Sequence, residues 1–178
     1  MRGVLPISSA LTEIEDTLEL PFVIHKVRAR GHLQRKEYED VERELRLAQV
    51  LLPGDIDLAL RFVPALEEAD RQAAADELFN QVYDVNERVT REFPKAASYH
   101  NNLAWVGAKC NRRLDDALEH ARAATTLAPQ NAAYLDTLAE VHFLRGEREA
   151  AIRHMQRCLE LDPKNSYFQG QLKRFQAK

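Results

Sequence analysis

The sequence contains few of the residues that interrupt helices or form cross-links. Its 178 residues include only six glycines and seven prolines, a composition typical of a mostly helical chain with short turns. The two cysteines, Cys110 and Cys158, lack the paired spacing of a disulfide framework or a zinc motif. We therefore expect a reducing compartment, and by default the cytoplasm.

The sequence also lacks a strong charge of either sign and a long apolar run. The formal net charge is −3, so neither nucleic acid nor an anionic membrane is expected as a partner. No apolar run approaches the roughly 20 residues that span a bilayer, and the first residues lack the apolar core of a signal peptide. With 45% hydrophobic and 30% charged residues, the chain is expected to be soluble and folded.

Motifs that would bring catalytic groups together are missing as well. The sequence has no G-x-S-x-G nucleophile motif, no phosphate-binding glycine loop, no H-E-x-x-H and no C-x-x-C. Its many acidic residues fall on the outer faces of amphipathic segments, where solvent surrounds them. We therefore expect no catalytic residue, no cofactor and no metal site, and a chain that is not an enzyme.

What the sequence does contain is an internal repeat of 34 residues. Ala117 and Ala151 are 34 positions apart, and so are Pro129 and Pro163. A period of this length is typical of stacked helical hairpins. Each hairpin needs a small residue where its two helices cross. The candidates are Val41, Ala75, Ala117 and Ala151.

Residues four and seven positions after each small residue lie on the same helical face and are predicted to be buried. They are Leu45, Phe79, Ala121 and Met155, then Ala48, Val82, Ala124 and Cys158. Pro53, Pro129 and Pro163 each follow their small residue by twelve positions. They are predicted to end the second helix of the hairpin, because proline lacks an amide hydrogen.

Three irregularities modify the repeat. The hairpin around Ala75 is longer by seven residues, about two helical turns, which predicts one long helix from about Arg71 to Phe93. One extra residue is predicted in the turn at residues 109–111, where Cys110 is expected to be exposed. Pro64 is predicted to kink its helix or to split it after Phe62.

A short helix is predicted upstream of the hairpins, ending at Leu20 and Pro21. Its partner helix is absent from the sequence. We interpret it either as an N-terminal cap or, with slight preference, as the remainder of a repeat in a longer protein.

The spacing of small residues and prolines resembles that of the tetratricopeptide-repeat family. The resemblance is strong over 97–165, moderate over 56–96 and weak over 22–55, where Arg28 occupies a normally apolar position. It implies an all-α fold, a right-handed helix-hairpin solenoid (an α-α superhelix) of about four repeats with terminal cap helices. The implied division is 1–21 for an N-terminal partial helix or cap, 22–165 for the array (22–55, 56–96, 97–131 and 132–165) and 166–178 for a C-terminal cap helix.

The histidines occupy shared positions in this repeat frame. The pairs are His25 with His100, His32 with His142, and His120 with His154. Bulky aromatic residues normally fill the first two positions in the family, so the imidazoles are expected to serve in packing. A metal ion on His25 and His32 would need ligands from elsewhere.

Ligands of the family bind in a concave groove lined mainly by the first, or A, helix of each repeat. The resemblance therefore implies a groove that binds a segment of a protein partner. The groove positions are Lys26, Arg30, Arg61, Ser98, Asn101, Asn102, Trp105, Lys109, Asp136, Thr137, Glu140, Phe143, Tyr167 and Gln171. Basic residues come first in this set and acidic residues later, so a partner of opposite polarity is expected.

Trp105 is the single tryptophan and the strongest candidate anchor for a partner side chain, with packing against a neighbouring helix as the alternative. Asn101 and Asn102 can bind an extended peptide backbone, or serve in capping or packing. The family's carboxylate clamp, which captures a C-terminal carboxylate, is not expected. Arg30 follows Lys26 where the clamp needs asparagine, and no other register supplies the set.

These observations predict a non-catalytic scaffold with a protein or peptide partner. A structural module that assembles into a homo-oligomer is the alternative, because incomplete N-terminal capping would leave an apolar helix face. An RNA-associated helical repeat that uses Lys26, Arg30 and Arg61 is a third and weaker hypothesis.

Overall fold

The protein is helical throughout the part that the structure describes. This computed structural model describes the backbone of residues 7–177 and the side chains of residues 20–177. Its helices are α1 (Ile7–Gln34), α2 (Tyr38–Leu51), α3 (Ile56–Glu68), α4 (Gln72–Glu92), α5 (Ala97–Lys109), α6 (Leu114–Leu127), α7 (Ala132–Leu144), α8 (Arg148–Leu161) and α9 (Ser166–Gln176). The predicted all-α helical-repeat class is confirmed. Over the same residues, none of these helices combines the length and apolar character needed to span a bilayer.

The helices belong to two compact units. The first unit runs from Met1 to Val82 and the second from Tyr83 to Lys178, so the boundary falls within α4. In the first unit α1 packs against α2, and in the second α5 packs against α6 and α7 against α8. Helical hairpins joined by short turns are therefore the building blocks of both units.

Small residues lie at the predicted places in these hairpins. Val41, Ala75, Ala117 and Ala151 are fully buried. The residues predicted to share their face are also buried, namely Leu45, Phe79, Ala121, Met155, Ala48, Val82, Ala124 and Cys158. The first helix of each hairpin (α1, α3, α5 and α7) also contributes one fully buried residue at an equivalent position. These residues are Ala29, Val63, Ala104 and Ala139. This burial confirms the repeat pattern from α1 to α8.

Each hairpin turn contains a residue in the left-handed conformation. These residues are Lys36, Asp70, Asn111 and Gly146, with φ values of 58°, 57°, 50° and 79°. The following amide donates back into the helix, as from Glu37 N to His32 O at 3.0 Å and from Glu147 N to His142 O at 2.9 Å. This Schellman arrangement satisfies carbonyl groups that the helix end would leave unpaired.

The turn between α5 and α6 is one residue longer than the other three hairpin turns. It includes a second left-handed residue, Arg113, with a φ of 48°. The extra residue predicted near positions 109–111 is thus confirmed.

Connections between successive hairpins have four residues each, and proline is always the second. These prolines are Pro53, Pro94, Pro129 and Pro163. The side chains of Asp55, Asn131 and Asn165 then accept hydrogen bonds from the first amides of α3, α7 and α9. The long helix predicted before Pro94 is also confirmed, because α4 spans Gln72–Glu92.

The helix end predicted at Leu20 and Pro21 is wrong, because α1 continues through Pro21 to Gln34. Phe22, directly after the proline, is only 5% exposed, and its burial favours continuation of the helix. The division of the chain into repeats at residues 22, 56, 97 and 132 stays a prediction.

Of the two alternatives predicted at Pro64, the split is wrong, because α3 is one helix, and the kink stays a prediction. Phe62, Val63 and Leu66 are fully buried on both sides of the proline. Their combined burial outweighs the roughly 3 kcal/mol that an internal proline costs.

The last helix, α9, covers part of the core of the second unit. Phe168 and Phe175 are buried in a cluster with residues of α7 and α8, and Leu172 is packed against that cluster. Tyr167, on the same helix, is 49% exposed. Lys178, the last residue of the predicted cap, lies outside the described residues.

Candidate partner-binding site

In the first unit, the predicted site residues surround a shallow depression. Lys26 and Arg30 of α1 and Arg61 of α3 line it together with Val23 and Val27, around a cavity of about 120 Å³. The Lys26 ammonium is held by Asp55 at 3.4 Å and Asp57 at 3.1 Å. The depression is therefore basic with an apolar floor, although part of its charge is already neutralised.

In the second unit, one face of α5 carries Asn101, Trp105 and Lys109 at intervals of four residues. Trp105 is half-buried, and the Lys109 Nζ lies 4.3 Å from the centroid of its ring. This is a cation–π contact. The side-chain oxygen of Asn101 is buried, and no group in residues 20–177 forms a hydrogen bond with it. Ser98 is exposed and Asn102 is half-buried on the same helix.

Two carboxylates lie one turn apart on α7 and are almost fully buried. Asp136 is 7% exposed and Glu140 is 4% exposed. Asp136 accepts a hydrogen bond from the Tyr167 hydroxyl of α9, and Gln171 Nε2 donates to that hydroxyl at 2.9 Å. The second oxygen of Asp136, Oδ1, is buried and has no hydrogen-bond partner among the side chains and backbone that the structure describes.

Burial is the main cause of the raised pKa of Asp136. It raises the pKa of Asp136 to about 6, although the Tyr167 hydrogen bond acts in the opposite direction. The neighbouring Glu140 also raises this pKa, whereas Lys109 and Arg174 lower it. The carboxylate thus lies in an environment that opposes its charge.

Glu140 differs from Asp136 because its charge is paired. Arg174 of α9 forms an ion pair with Glu140. The Arg174 guanidinium also lies 4.9 Å from the centroid of the half-buried Phe143 ring. Thr137, which directly follows Asp136, is buried, and its hydroxyl donates to Ala133 O at 3.1 Å. Its polar group is therefore used within α7.

The second unit thus brings together most of its predicted site residues. Trp105 and Lys109 are in contact, and Lys109 is near enough to Asp136 to affect its pKa. Asp136 is joined to Tyr167 and through it to Gln171. The arrangement offers an aromatic surface, hydrogen-bonding groups and a buried negative charge.

A second polar arrangement, which was not predicted from the sequence, lies in two of the hairpin turns. His32 Nδ1 is 2.6 Å from Glu37 Oε2, and Arg35 Nε donates to the same oxygen at 2.9 Å. His142 and Arg145 contact Glu147 in the same way between α7 and α8, at 2.6 Å from Oε2 and 2.9 Å from Oε1 respectively. The shared pattern H-x-x-R-x-E was the signal available in the sequence.

These contacts also hold acidic groups in their charged form. The hydrogen bond from His32 and then that from Arg35 lower the pKa of Glu37, and His142 and Arg145 do the same for Glu147.

One group of three potential metal ligands occurs in the part of the chain that the structure describes. The ligand atoms of His32, Glu37 and Asp40 lie within 4.8 Å of one another. In the equivalent turn, Ala150 occupies the position of Asp40 while the histidine and glutamate still meet. The imidazole–carboxylate contact therefore stabilises the turn without a third ligand.

The histidines were expected to replace aromatic residues in packing, and the structure shows that they also have polar partners. His25 Nδ1 lies 2.7 Å from Glu44 Oε2. His100 Nδ1 lies 2.9 Å from His120 Nδ1. A buried imidazole nitrogen needs such a partner, which an aromatic ring would not.

The two cysteines are buried and do not form a disulfide. Burial raises the pKa of Cys158 to about 12, as suits the core residue that was predicted. The expectation that Cys110 is exposed is wrong, because it is only 3% exposed. Cys110 follows the buried Val106 and Gly107 by four and three residues, so it extends their face into the turn.

Comparison with known proteins supports the repeat interpretation. Residues 132–165 match the model of the tetratricopeptide repeat. This range coincides with the segment assigned above to the fourth repeat. No curated protein matches the sequence of the chain.

Several solved structures share the fold. MamA from Desulfovibrio magneticus RS-1, from residue 41 to its end, is 18% identical, with a TM-score of 0.51 over 87% of this chain and 83% of that chain. YrrB, described as a TPR protein with an unusual peptide-binding site, is 14% identical, with a TM-score of 0.52 over 93% and 86%. The first TPR of Spaghetti (RPAP3), bound to the HSP90 peptide SRMEEVD, is 17% identical, with a TM-score of 0.51 over 70% and 94%.

Proposed function

We propose that this chain, whose residues 132–165 match the tetratricopeptide repeat, is a non-catalytic scaffold that binds a segment of a partner protein. The binding surface in the second unit is formed by α5, α7 and α9. We call it the Trp105 face, and it consists of Asn101, Trp105, Lys109, Asp136, Glu140, Tyr167 and Gln171.

The observation that carries this proposal is the contact between Trp105 and Lys109 beside the buried Asp136. Tryptophan is enriched among the residues that dominate binding energy at interfaces. An aromatic ring held by a cation is already oriented, so less conformational entropy is lost when a partner binds. Two of the structures with a similar fold are described as peptide-binding, which agrees with this use of the fold.

The partner differs in chemistry from one held by a carboxylate clamp. That clamp depends on basic and amide side chains that surround a terminal carboxylate. On the Trp105 face, Asp136 and Glu140 are buried and negative. An acidic partner group would meet like charge there.

The test begins with peptides selected by the intact protein from a random dodecapeptide library. We expect Trp105→Ala to weaken binding of the selected peptides by about 2 kcal/mol, roughly thirtyfold in Kd, because a buried aromatic anchor is lost. Fluorescence anisotropy of the labelled peptide measures this change. Since Trp105 is the only tryptophan, its emission also reports binding to the wild-type protein directly.

Leu127→Ala is the matched control. Leu127 is 43% exposed on α6, in the same unit but on a second helix of a hairpin. Its replacement removes a comparable apolar side chain and should leave Kd within about twofold. Failure to select any peptide, or equal binding by Trp105→Ala and the wild-type protein, would contradict the proposal.

Self-assembly is the second candidate function, and an exposed stripe on α1 favours it. Leu20, Val23, Ile24 and Val27 are spaced along one helix face and are 63%, 46%, 40% and 53% exposed. Apolar stripes of this kind mark interfaces. A mass that rises with protein concentration in light scattering would favour this candidate, whereas a constant monomer mass would favour the scaffold.

An RNA-associated role has less support. Lys26 is already paired with two aspartates, and the net charge of the chain is −3. Cys110 and Cys158 are not joined by a disulfide, which agrees with a reducing compartment, and we propose a cytoplasmic location.

A further inference from the structure

On the Trp105 face, Asp136 has a hydrogen-bonding deficit that the described part of the chain does not fill. Its Oδ1 is buried and has no donor. We propose that the partner segment presents a lysine or arginine side chain that binds Asp136. This inference rests on the proposed scaffold function and specifies the chemistry of the partner.

The neighbours of Asp136 explain why the donor must come from outside. The Tyr167 hydroxyl donates to this carboxylate but leaves Oδ1 without a partner. Arg174 is committed to Glu140, and the Lys109 Nζ is held over the Trp105 ring. On the α8 side, the Cys158 thiol donates to Ala132 O at 3.4 Å. None of these groups satisfies Oδ1.

The charges explain why the missing donor is a cation. Asp136 and Glu140 are both carboxylates, but only Glu140 has a guanidinium bonded to it. A buried carboxylate without a counter-ion is costly, and a charge-assisted hydrogen bond is the strongest way to offset that cost. A neutral donor would satisfy Oδ1 but leave the charge unpaired.

The groups that act on Asp136 include side chains at the surface, which can move when a partner binds. Tyr167, which donates to Asp136, is 49% exposed, and Lys109 is exposed. Both can change rotamer without disturbing the buried cluster of α7, α8 and α9.

The raised pKa of Asp136 predicts that binding of a cation depends on pH. Because burial raises the pKa of Asp136 to about 6, the carboxylate is charged at neutral pH and is neutralised in mild acid. The other ionisable groups that act on it are Glu140, Lys109 and Arg174, with Tyr167 and Cys158 facing it from α9 and α8. A bound cation should therefore be released as the pH falls below about 6.

The experiment repeats the peptide selection with the intact wild-type protein and with Asp136→Asn. Asparagine has the same shape and its amide oxygen can still accept from Tyr167, while the negative charge is lost and one acceptor oxygen becomes an NH2 donor. We expect the wild-type protein to enrich lysine or arginine at one fixed peptide position, and Asp136→Asn to lose that enrichment. Replacement of the enriched lysine by glutamine should weaken binding to the wild-type protein by about tenfold or more, but binding to Asp136→Asn by less than about twofold.

Glu149→Gln is the matched control, because Glu149 is an exposed carboxylate on α8 of the same unit. It makes the same change in net charge and should keep the enrichment. Thermal unfolding of Asp136→Asn should show no loss of stability, since the variant removes a buried charge.

The outcomes distinguish this inference from the scaffold function. Peptides that depend on Trp105 but show no basic preference, or a preference that Asp136→Asn retains, would overturn the inference alone. Selection of no peptide, or of peptides that bind Trp105→Ala normally, would overturn both.

Discussion

At Gly107, the absence of a side chain is a requirement of packing. A Cβ atom there would lie 2.9 Å from the Ala117 Cβ and 3.0 Å from the Arg112 carbonyl oxygen. Neither neighbour is a flexible chain end, so the two helices would have to move apart. We expect Gly107→Ala to lower the free energy of unfolding by about 1–3 kcal/mol, as measured by urea unfolding followed by circular dichroism.

Gly170 offers the matched control for this prediction. It lies within α9, and nothing is within 4 Å of the position that a Cβ would take. Alanine favours a helix over glycine, so Gly170→Ala should raise the free energy of unfolding by about 0.5–1 kcal/mol. Equal changes in the free energy of unfolding at the two glycines would show that the contact with Ala117 does not cause the expected loss of stability.

Individual residues were predictable where a repeated position fixed their surroundings. Ala117 and Ala151 were expected to be buried because their spacing recurs, and both are. The environment of Cys110 was not predictable, since the turn that contains it has an insertion that the other turns lack. The polar partners of His25 and His100 come from the neighbouring helix of the hairpin, and the period alone does not identify them.

At the scale of whole elements, the hairpin turns differ in how well the residue at the left-handed position suits that backbone conformation. Lys36 and Gly146 occupy the same turn position, with φ values of 58° and 79°. A side chain in this conformation costs about 1–2 kcal/mol that glycine avoids. We expect Lys36→Gly to raise the free energy of unfolding by about 1 kcal/mol and Gly146→Lys to lower it by about the same amount.

Thermal unfolding of both variants measures this pair of effects. Both residues are exposed, so neither substitution changes the core. Lys164→Gly, in an exposed connection without a left-handed backbone, is a suitable control for the added flexibility of glycine. Stabilisation by Lys164→Gly as large as that by Lys36→Gly would contradict the argument.

The lengths of elements followed from the sequence, but two of their boundaries did not. The long α4 was predicted from a continuous apolar stripe, which is local information. The continuation of α1 through Pro21 was not predicted, and for α3 the sequence left open whether the helix continues through Pro64 or splits before it. Proline has a fixed local cost, whereas the burial of Phe62 that offsets it depends on helices distant in sequence.

For the molecule as a whole, the repeat determined the fold class, and the candidate site was predictable only in outline. The period indicated which helix faces would carry Trp105 and Asp136. It could not indicate that Asp136 would be buried beside Glu140, or that Arg174 would pair with only one of them. Those properties depend on how α9 packs on α7, which lies outside the repeat pattern.

The histidines give the second unit a dependence on pH that sequence did not reveal. His100 Nε2 faces the Pro94 carbonyl oxygen at 3.0 Å, so it must donate, and its Nδ1 accepts from His120. His142 and His154 stack with ring centroids 5.2 Å apart. Neither pair accommodates two charged rings.

Burial, followed by the neighbouring imidazole, lowers the pKa of both His120 and His154 in the folded protein. As the pH falls through the ordinary histidine range near 6.5, the unfolded chain therefore binds protons before the folded one does. The stability that these residues provide is present above that range and is lost below it. Each group contributes a slope of at most about 1.4 kcal/mol per pH unit.

Asp136 has the opposite effect. Its pKa is raised from 3.8 to about 6, so the folded protein binds this proton first and gains stability as the pH falls from about 6 to 4. We expect urea unfolding of the wild-type protein between pH 7.5 and 5 to show a shallow decline in stability, because these contributions partly cancel. Asp136→Asn should be more stable at pH 7.5, by up to roughly 3 kcal/mol, and should lose stability more steeply as the pH falls. The double variant His120→Gln, His154→Gln should instead gain stability on acidification over this interval, and a decline as large as that of the wild-type protein would exclude the histidine pairs as its source.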